Sequence, residues 1–321
     1  MIPVFDADAV TAAVSPAQAI PLVTDAFEAH GRGEWVMPPK VYMDAGEAAL
    51  EGSGAAGDFR AMPARGDGLA MLKWVTSFPG NPKRDLPVVA GALILSSAES
   101  GELLAIMDCA SITSLRTGAA AAVSARVLAR EDAKTVGVIG CGVNGATAAR
   151  CLAAAGYGPG LCSDLNAGNA QALADELDWG VASREVTATQ DVVVTVTPGD
   201  VPVILDGDLR PGQHIAVLGA DAHDKAEVER AALSQCRLFC DEWEQASGGG
   251  ELSGPVEAGE VTRENVTELG SVMTGLAPGR QSSMEITLFD STGLAIQDLA
   301  IARAVLAAWR AGRVEAQEVR L

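Results

Sequence analysis

The residues best suited to chemistry in this chain are concentrated in a few short stretches. Gly140-Cys141-Gly142-Val143-Asn144-Gly145 carries glycines at the spacing G-x-G-x-x-G. That spacing is informative when a strand precedes it and a helix follows. Here Thr135 to Ile139 reads as a strand, and Val143 to Ala155 reads as a helix closed by Gly156. The first glycine then permits a tight turn, the second lets backbone approach a pyrophosphate, and the third allows close helix packing. A helix N-terminus at this point offers N–H groups and a positive dipole end to phosphate. Asp164 ends the next strand, 19 residues after Gly145, where a carboxylate accepts hydrogen bonds from both ribose hydroxyls. It would repel a 2′-phosphate, and Leu165, Asn166 and Ala167 supply no arginine to receive one. NAD is the expected cofactor; the bland alternative is a glycine turn that binds no nucleotide.

Further candidates sit where other apolar runs end, because ligands of doubly wound sheets bind beyond the carboxyl ends of the strands. These ends are Thr195-Val196-Thr197-Pro198, Gly219-Ala220-Asp221 and Asp290-Ser291-Thr292-Gly293. Asp221 is expected to face the reactive end of the cofactor, and as a plain helix cap before Ala226 it also makes sense. Lys73 lies in Leu69-Ala70-Met71-Leu72-Lys73-Trp74-Val75, where strand alternation places it on one face with Leu69, Met71 and Val75. An ammonium there is costly unless paired, and desolvation makes it a better base near neutral pH. The competing reading is a lysine reaching out from an edge strand. Arg116 is expected near a helix start, where a cation opposes the dipole unless an anion compensates it. Arg60 in Phe59-Arg60-Ala61-Met62-Pro63 is suited to bidentate grip of a carboxylate. Either arginine alone also reads as a solvated surface charge.

The elements that must position these groups change character along the chain. The first part reads as strands and turns around one early helix, Ala17 to His30, opened by Ser15-Pro16. Val41 to Met43, Phe59 to Met62, Leu69 to Thr76, Val88 to Leu95 and Leu103 to Met107 are the expected strands, with a hairpin at Glu99 to Glu102. Ser111 to Arg130 reads as an alanine-rich helix. Strand and helix then alternate: strands at Gly160 to Ser163, Val192 to Val196 and His214 to Leu218, with a helix at Ala167 to Leu177. This rhythm implies a parallel sheet covered on both faces. After Ile286 to Phe289 a helix over about Leu294 to Ala311 closes the pattern, and Ser247 to Gly250 looks flexible. The expected fold is α/β: a Rossmann-type doubly wound domain over 116–294, and a β-rich substrate and dimerisation domain over 1–115 with 295–321.

Composition narrows the function classes. Of 321 residues, 42 are acidic and 23 basic, for a formal charge of −19, and only five are lysines. Such a chain repels phosphate backbones and anionic membranes, so no nucleic-acid or membrane partner is expected. The six cysteines form no C-x-x-C pair, and with three histidines no zinc spacing arises, so no metal site is expected. Met1 to Val10 lacks a basic leader, no uncharged run is long enough to span a bilayer, and the expected compartment is the cytoplasm.

Taken together, these motifs resemble the ornithine cyclodeaminase/mu-crystallin family, with its archaeal-type alanine dehydrogenases as the nearest branch. The resemblance rests on Met37-Pro38-Pro39-Lys40-Val41-Tyr42, Phe59-Arg60-Ala61-Met62-Pro63-Ala64, Lys73-Trp74-Val75 and Phe78-Pro79-Gly80-Asn81. It continues through Leu115-Arg116-Thr117-Gly118, Gly219-Ala220-Asp221 with Lys225, and the run from Phe289 to Asp298. It implies a homodimer joined through the β-rich domain, with Lys73 as the catalytic and substrate-binding lysine. Arg60 becomes the carboxylate anchor, aided by Lys40, and Asp221 the acid/base carboxylate. Arg116, Val143, Asn144, Lys225 and Ser291 become cofactor contacts. The full expected cofactor set adds Thr117, Gly140, Gly142, Asp164, Thr197, Gly219 and Ala220. Two departures from the family pattern bear on substrate and loop. Cyclodeaminases carry a glutamate where Arg60 stands, and this chain has Gly219-Ala220-Asp221-Ala222-His223-Asp224-Lys225 where relatives usually have Gly-Pro-Gly before the lysine. The implied activity is reversible oxidative deamination of a small L-amino acid, with L-alanine giving pyruvate and ammonia. The alternatives are an ornithine cyclodeaminase or cyclic ketimine reductase, and a non-catalytic ligand-binding protein of the mu-crystallin kind.

Overall fold

The computed structural model describes residues 1–46, 57–198, 201–220 and 225–321. The chain forms two compact units. Unit 1 comprises Met1–Ser15, Gly33–Thr113 and Ala295–Leu321; unit 2 comprises Pro16–Arg32 and Ser114–Leu294.

Unit 1 is built on a seven-stranded sheet. Its strands are β1 (Ile2–Phe5), β2 (Val41–Asp44), β3 (Asp58–Gly66), β4 (Leu69–Ser77), β5 (Val89–Ser97), β6 (Leu103–Asp108) and the late β15 (Gln317–Val319), whose spatial order is 15-1-6-5-4-3-2. All neighbours are antiparallel except β1 and β6. The hairpin expected at Glu99 to Glu102 forms, with Gly101 at φ 75° taking the left-handed position that glycine adopts without strain. Met71, Lys73 and Val75 alternate with the exposed Leu72 and Trp74, so β4 has one buried and one exposed face. Met62, Leu93, Leu95 and Met107 extend the buried face, and the helix Ala295–Arg310 packs on β3 and β4. One short helix, Ala7–Ala13, was not anticipated; Asp6 caps it by accepting from Ala9 N–H at 2.9 Å.

Unit 2 holds an eight-stranded, wholly parallel sheet. Its strands are β7 (Val136–Ile139), β8 (Gly160–Ser163), β9 (Gly180–Val181), β10 (Val192–Thr195), β11 (His214–Val217), β12 (Cys236–Cys240), β13 (Val266–Glu268) and β14 (Ile286–Asp290), in the order 13-12-14-11-10-7-8-9. Every residue of β7, β10 and β11 is buried, so both faces of the sheet are covered there, as continuous apolar runs require. The strand order reverses direction between β7 and β10, the place where such sheets bind ligands. The helix Pro16–Gly31 packs in this unit although its sequence neighbours build unit 1: Phe27 meets Phe289 edge-on at 6.5 Å. Strands β12 and β13 were not singled out by pattern. Ser247 to Gly250, expected to be flexible, is instead the end of a helix, Trp243–Gly249, and its C-cap. A Cβ on Gly250 would lie 2.4 Å from the Asp290 carboxylate, so this last glycine of the run marks close packing, while Gly248 and Gly249 have nothing within 4 Å.

Candidate functional site

The strand registers of unit 2 line up one row of residues at the carboxyl edge of the sheet. Ser163, Ile139, Thr195, Val217, Asp290 and Cys240 are successive partners across β8, β7, β10, β11, β14 and β12. One or two residues past that row stand Asp164, Gly140, Thr197, Gly219 and Ser291, so five sequence candidates share one rim. Gly140 has φ 93°, and a Cβ there would meet Val196 O at 2.3 Å, so the turn after β7 runs tight against the chain leaving β10. Gly145 is tighter still: its Cβ would lie 1.8 Å from Gly140 O. Gly142 differs, because a Cβ there would meet nothing within 4 Å. It caps the helix Val143–Ala154 without a side-chain hydrogen bond, and Val143 beside it is exposed. The three glycines therefore divide into two that pack and one that keeps space open at a helix N-terminus. That geometry fits a pyrophosphate.

Asp164 accepts from Cys141 N–H at 2.6 Å and Asn166 N–H at 2.7 Å, one bond to each carboxylate oxygen. Its carboxylate is thus fixed to the glycine turn and keeps lone pairs for a diol. Arg116 is the eighth residue of the helix Cys109–Leu128, two residues deeper than in the helix expected from Ser111. The helix starts early because Asp108 accepts from Ser111 N–H at 2.8 Å. Arg116 is buried, and a Cβ on Gly293 (φ 78°) would fall 2.2 Å from its Nη1, so the guanidinium lies directly over that glycine. Two residues before Gly293, Ser291 Oγ is buried with no hydrogen-bond partner among the described residues. A buried hydroxyl left in that condition is costly unless a ligand completes it. Thr117 is buried, Lys225 is half-buried, and Asp221 lies outside the described residues.

One buried carboxylate organises this rim and was missed in the sequence. Glu227 Oε1 accepts from Thr197 N–H at 2.6 Å and its hydroxyl at 2.7 Å, while Oε2 accepts from Gly219 N–H at 2.7 Å. It ties the chain after β10 to the chain after β11. Glu251 in turn accepts from the N–H groups of Glu227 and Val228 at 2.8 and 2.9 Å. Burial raises the Glu227 carboxyl above its ordinary value and pushes Glu251 up to about 7, with the backbone donors opposing the effect in both. Asp290 is raised well above its usual range by burial and by the neighbouring Asp241 and Glu251. No sequence pattern marks Glu227 and Glu251, since their burial arises from segments that meet only in the folded unit, whereas Asp290 is the strand end already noted.

Unit 1 carries the other candidates on one sheet face. Arg60 pairs with Val75 across β3 and β4, and Met62 pairs with Lys73, so the two cations are diagonal neighbours pointing the same way. Arg60 holds Asp58 side-on, Nε to Oδ1 at 2.5 Å and Nη2 to Oδ2 at 3.0 Å, and its guanidinium lies 5.4 Å from the Tyr42 ring centre. Lys40 precedes β2 on the same alternation as Tyr42 and is half-buried. Lys73 is 1% exposed. Its Nζ donates to Asp298 Oδ1 at 2.8 Å and to Thr113 Oγ1 at 2.6 Å. The expectation of a buried, paired lysine is met, and the edge-strand alternative is excluded because β3 and β5 flank β4. Asp298 had been noted only as the end of a motif. The usable signal was Gln297-Asp298 interrupting the apolar run Leu294 to Ile301, where a charge is out of place unless paired.

Comparison with known proteins identifies the family and the fold. The family model described as the ornithine cyclodeaminase/mu-crystallin family matches residues 4–313. An alanine dehydrogenase of Archaeoglobus fulgidus is 39% identical over 299 residues, 91% of this chain and 90% of that protein. A solved archaeal alanine dehydrogenase dimer with bound NAD superposes with a TM-score of 0.92 at 36% identity, covering 100% of this chain and 99% of that one. The Delta(1)-pyrroline-2-carboxylate reductase of Thermococcus litoralis, solved with NADH and L-proline, superposes with a TM-score of 0.91 at 27% identity over 99% and 100% of the two chains.

Proposed function

Because the chain belongs to the ornithine cyclodeaminase/mu-crystallin family, we propose that it is an NAD-dependent amino acid dehydrogenase. Its reaction is the reversible oxidative deamination of a small L-amino acid, L-alanine giving pyruvate and ammonia. The observation that carries this reading is the pair of buried cations, Arg60 and Lys73, diagonal on one face of the unit 1 sheet. A carboxylate anchor and a proton-transfer group at that separation suit a molecule with its amine one carbon from its carboxylate.

In this reading residues 1–115 with 295–321, less Pro16–Arg32, which packs in unit 2, are the substrate and dimerisation domain, and 116–294 the NAD domain. Gly140, Gly142, Val143 and Asn144 hold the pyrophosphate by backbone approach and helix N-terminal N–H groups. Asp164 takes the ribose hydroxyls, Arg116 and Thr117 meet phosphate, and Thr197, Gly219, Ala220, Lys225 and Ser291 complete the cradle. NAD, when bound, supplies the two-electron acceptor for the substrate's Cα–H bond. Arg60 holds the substrate carboxylate with help from Lys40, while Asp58 and Tyr42 fix the plane of the guanidinium. Lys73 Nζ takes a proton from the substrate ammonium and later serves the oxygen of the carbinolamine. Asp221 orients the water that adds to the imine carbon. The protein's share of catalysis is positioning and charge placement.

The exposed face of the unit 1 sheet supports a homodimer. Val41, Met43, Leu72, Trp74 and Ile94 all point away from the buried face and are 39–63% exposed, a contiguous apolar surface that a partner copy covers. No helix among the described residues is long and apolar enough to cross a membrane. The similarity to the pyrroline carboxylate reductase favours a second reading, reduction of a cyclic imine. A panel of L-amino acids with NAD, and of 2-oxoacids with ammonia and NADH, separates the two. The proposal expects alanine-dependent NADH formation. Turnover confined to cyclic imines, or proline formed from ornithine without net NADH, replaces it with the second reading or with a cyclodeaminase.

A further inference from the structure

We propose that Asp298, with Thr113, is a positioning pair that orients the Lys73 amine and sets the pH at which it exchanges its proton. This inference rests on the role given to Lys73 above. The three residues come from three elements of unit 1: Lys73 from the middle of β4, Thr113 from the first turns of the helix Cys109–Leu128, and Asp298 from the first turn of Ala295–Arg310. Lys73 and Asp298 are 1% and 0% exposed, and their contact spans 225 residues of sequence.

The hydrogen-bond directions are determined. Thr113 Oγ1 donates to Cys109 O at 2.6 Å, so toward Nζ it presents a lone pair and accepts. Asp298 Oδ1 accepts as well. Two of the three N–H directions of the ammonium are therefore held by acceptors fixed in helices. The same two contacts set the balance of charge states. Burial alone favours the neutral amine, whereas a carboxylate at 2.8 Å favours the ammonium.

Few other charges bear on Nζ among the described residues of unit 1. β3 brings Arg60 and Asp58, which neutralise one another, and Lys40 stands beyond Tyr42 at the start of β2. β5 offers Gly91, Leu93 and Leu95 to the same face, without charge. The helix Cys109–Leu128 adds the Cys109 thiol beside Gly91. The last helix contributes Asp298, and its next charged residue, Arg303, is engaged with Asp67. Asp298 is in direct contact with the amine, at 2.8 Å.

The test uses the full-length protein and exploits its five lysines, which make a lysine 13Cε NMR titration assignable by single substitutions. Asp298→Asn keeps an acceptor oxygen of the same shape and removes the charge. The expected result is a Lys73 midpoint lower by about 1–3 pH units, the range an adjacent carboxylate produces. The corresponding limb of kcat/KM for the amino acid moves in the same direction, with NADH binding retained. Asp298→Glu is expected to restore the midpoint toward wild type. Thr113→Val lowers it by a smaller amount and reduces kcat more than it raises KM. Should Asp298→Asn not fold, Thr113→Val decides by the same titration. A folded Asp298→Asn or Thr113→Val protein with an unmoved Lys73 midpoint overturns the inference. Because the NMR readout needs no turnover, a protein inactive on every amino acid but showing the shift refutes the proposed reaction and leaves the pairing intact.

Discussion

Under the proposed function the two units prepare for their ligands in opposite ways. On the unit 1 sheet the working groups are long charged side chains, each locked by a fixed partner: Arg60 by Asp58 and Tyr42, Lys73 by Asp298 and Thr113. At the rim of the unit 2 sheet the working groups are mostly backbone. Gly140 and Gly145 bring the chain into contact with itself, Gly142 leaves room, and the acids Asp164 and Glu227 hold the loops by their N–H groups. A diphosphate is recognised through many N–H groups and a dipole, so the absence of side chains is an advantage there. A small zwitterion has few atoms, so each must meet a charge of fixed direction. Substitutions should therefore fail differently in the two units.

The largest effect is expected in unit 1. Lys73→Ala should reduce turnover by about 10²–10⁴-fold, the usual contribution of a proton-transfer group, while NADH binding followed by fluorescence stays near wild type. Comparable loss of binding would erase the contrast. In unit 2, Gly142→Val should do the reverse. Its side chain enters open space at the helix N-terminus, so Tm should change little while NAD affinity falls at least tenfold. Gly145→Ala separates packing from binding: its Cβ falls on Gly140 O, and a loss of stability of about 1–3 kcal/mol is expected in the cofactor-free protein. Gly293→Ala is predicted to displace Arg116 and raise the KM for NAD several-fold with kcat little altered. The smallest effect concerns Glu251. Its folded-state carboxyl is raised to about 7, above its ordinary value, so its contribution to stability is full below about pH 4.5 and is lost as pH rises through 7. Glu251→Gln should flatten the decline in Tm between pH 5 and pH 8. An unchanged slope would mean that the carboxyl does not titrate there.

The same contrast explains what could be read from the sequence. The glycine turn, Asp164 and the strand ends were legible because each depends on neighbours within a few residues. The parallel sheet was legible because strands buried on both faces are apolar throughout. Lys73 was legible as a buried cation from alternation alone, but its partner was not, since Asp298 lies 225 residues away. Glu227 and Glu251 were invisible for the same reason. The Ser247 to Gly250 run was misread because small residues serve close packing as readily as flexibility, and Gly250 abuts Asp290. Arg116 sits two residues deeper in its helix than expected because the Asp108 contact that starts the helix could not be distinguished from other acids near a strand end.

The most direct test of the account compares NADH formation from L-alanine and NAD by the wild-type protein and by Lys73→Ala, with NADH binding measured on both. The account predicts turnover by the wild type, loss of at least 10²-fold in the variant, and similar binding to each. Equal turnover by the two proteins, or none by the wild type with any L-amino acid, would contradict it.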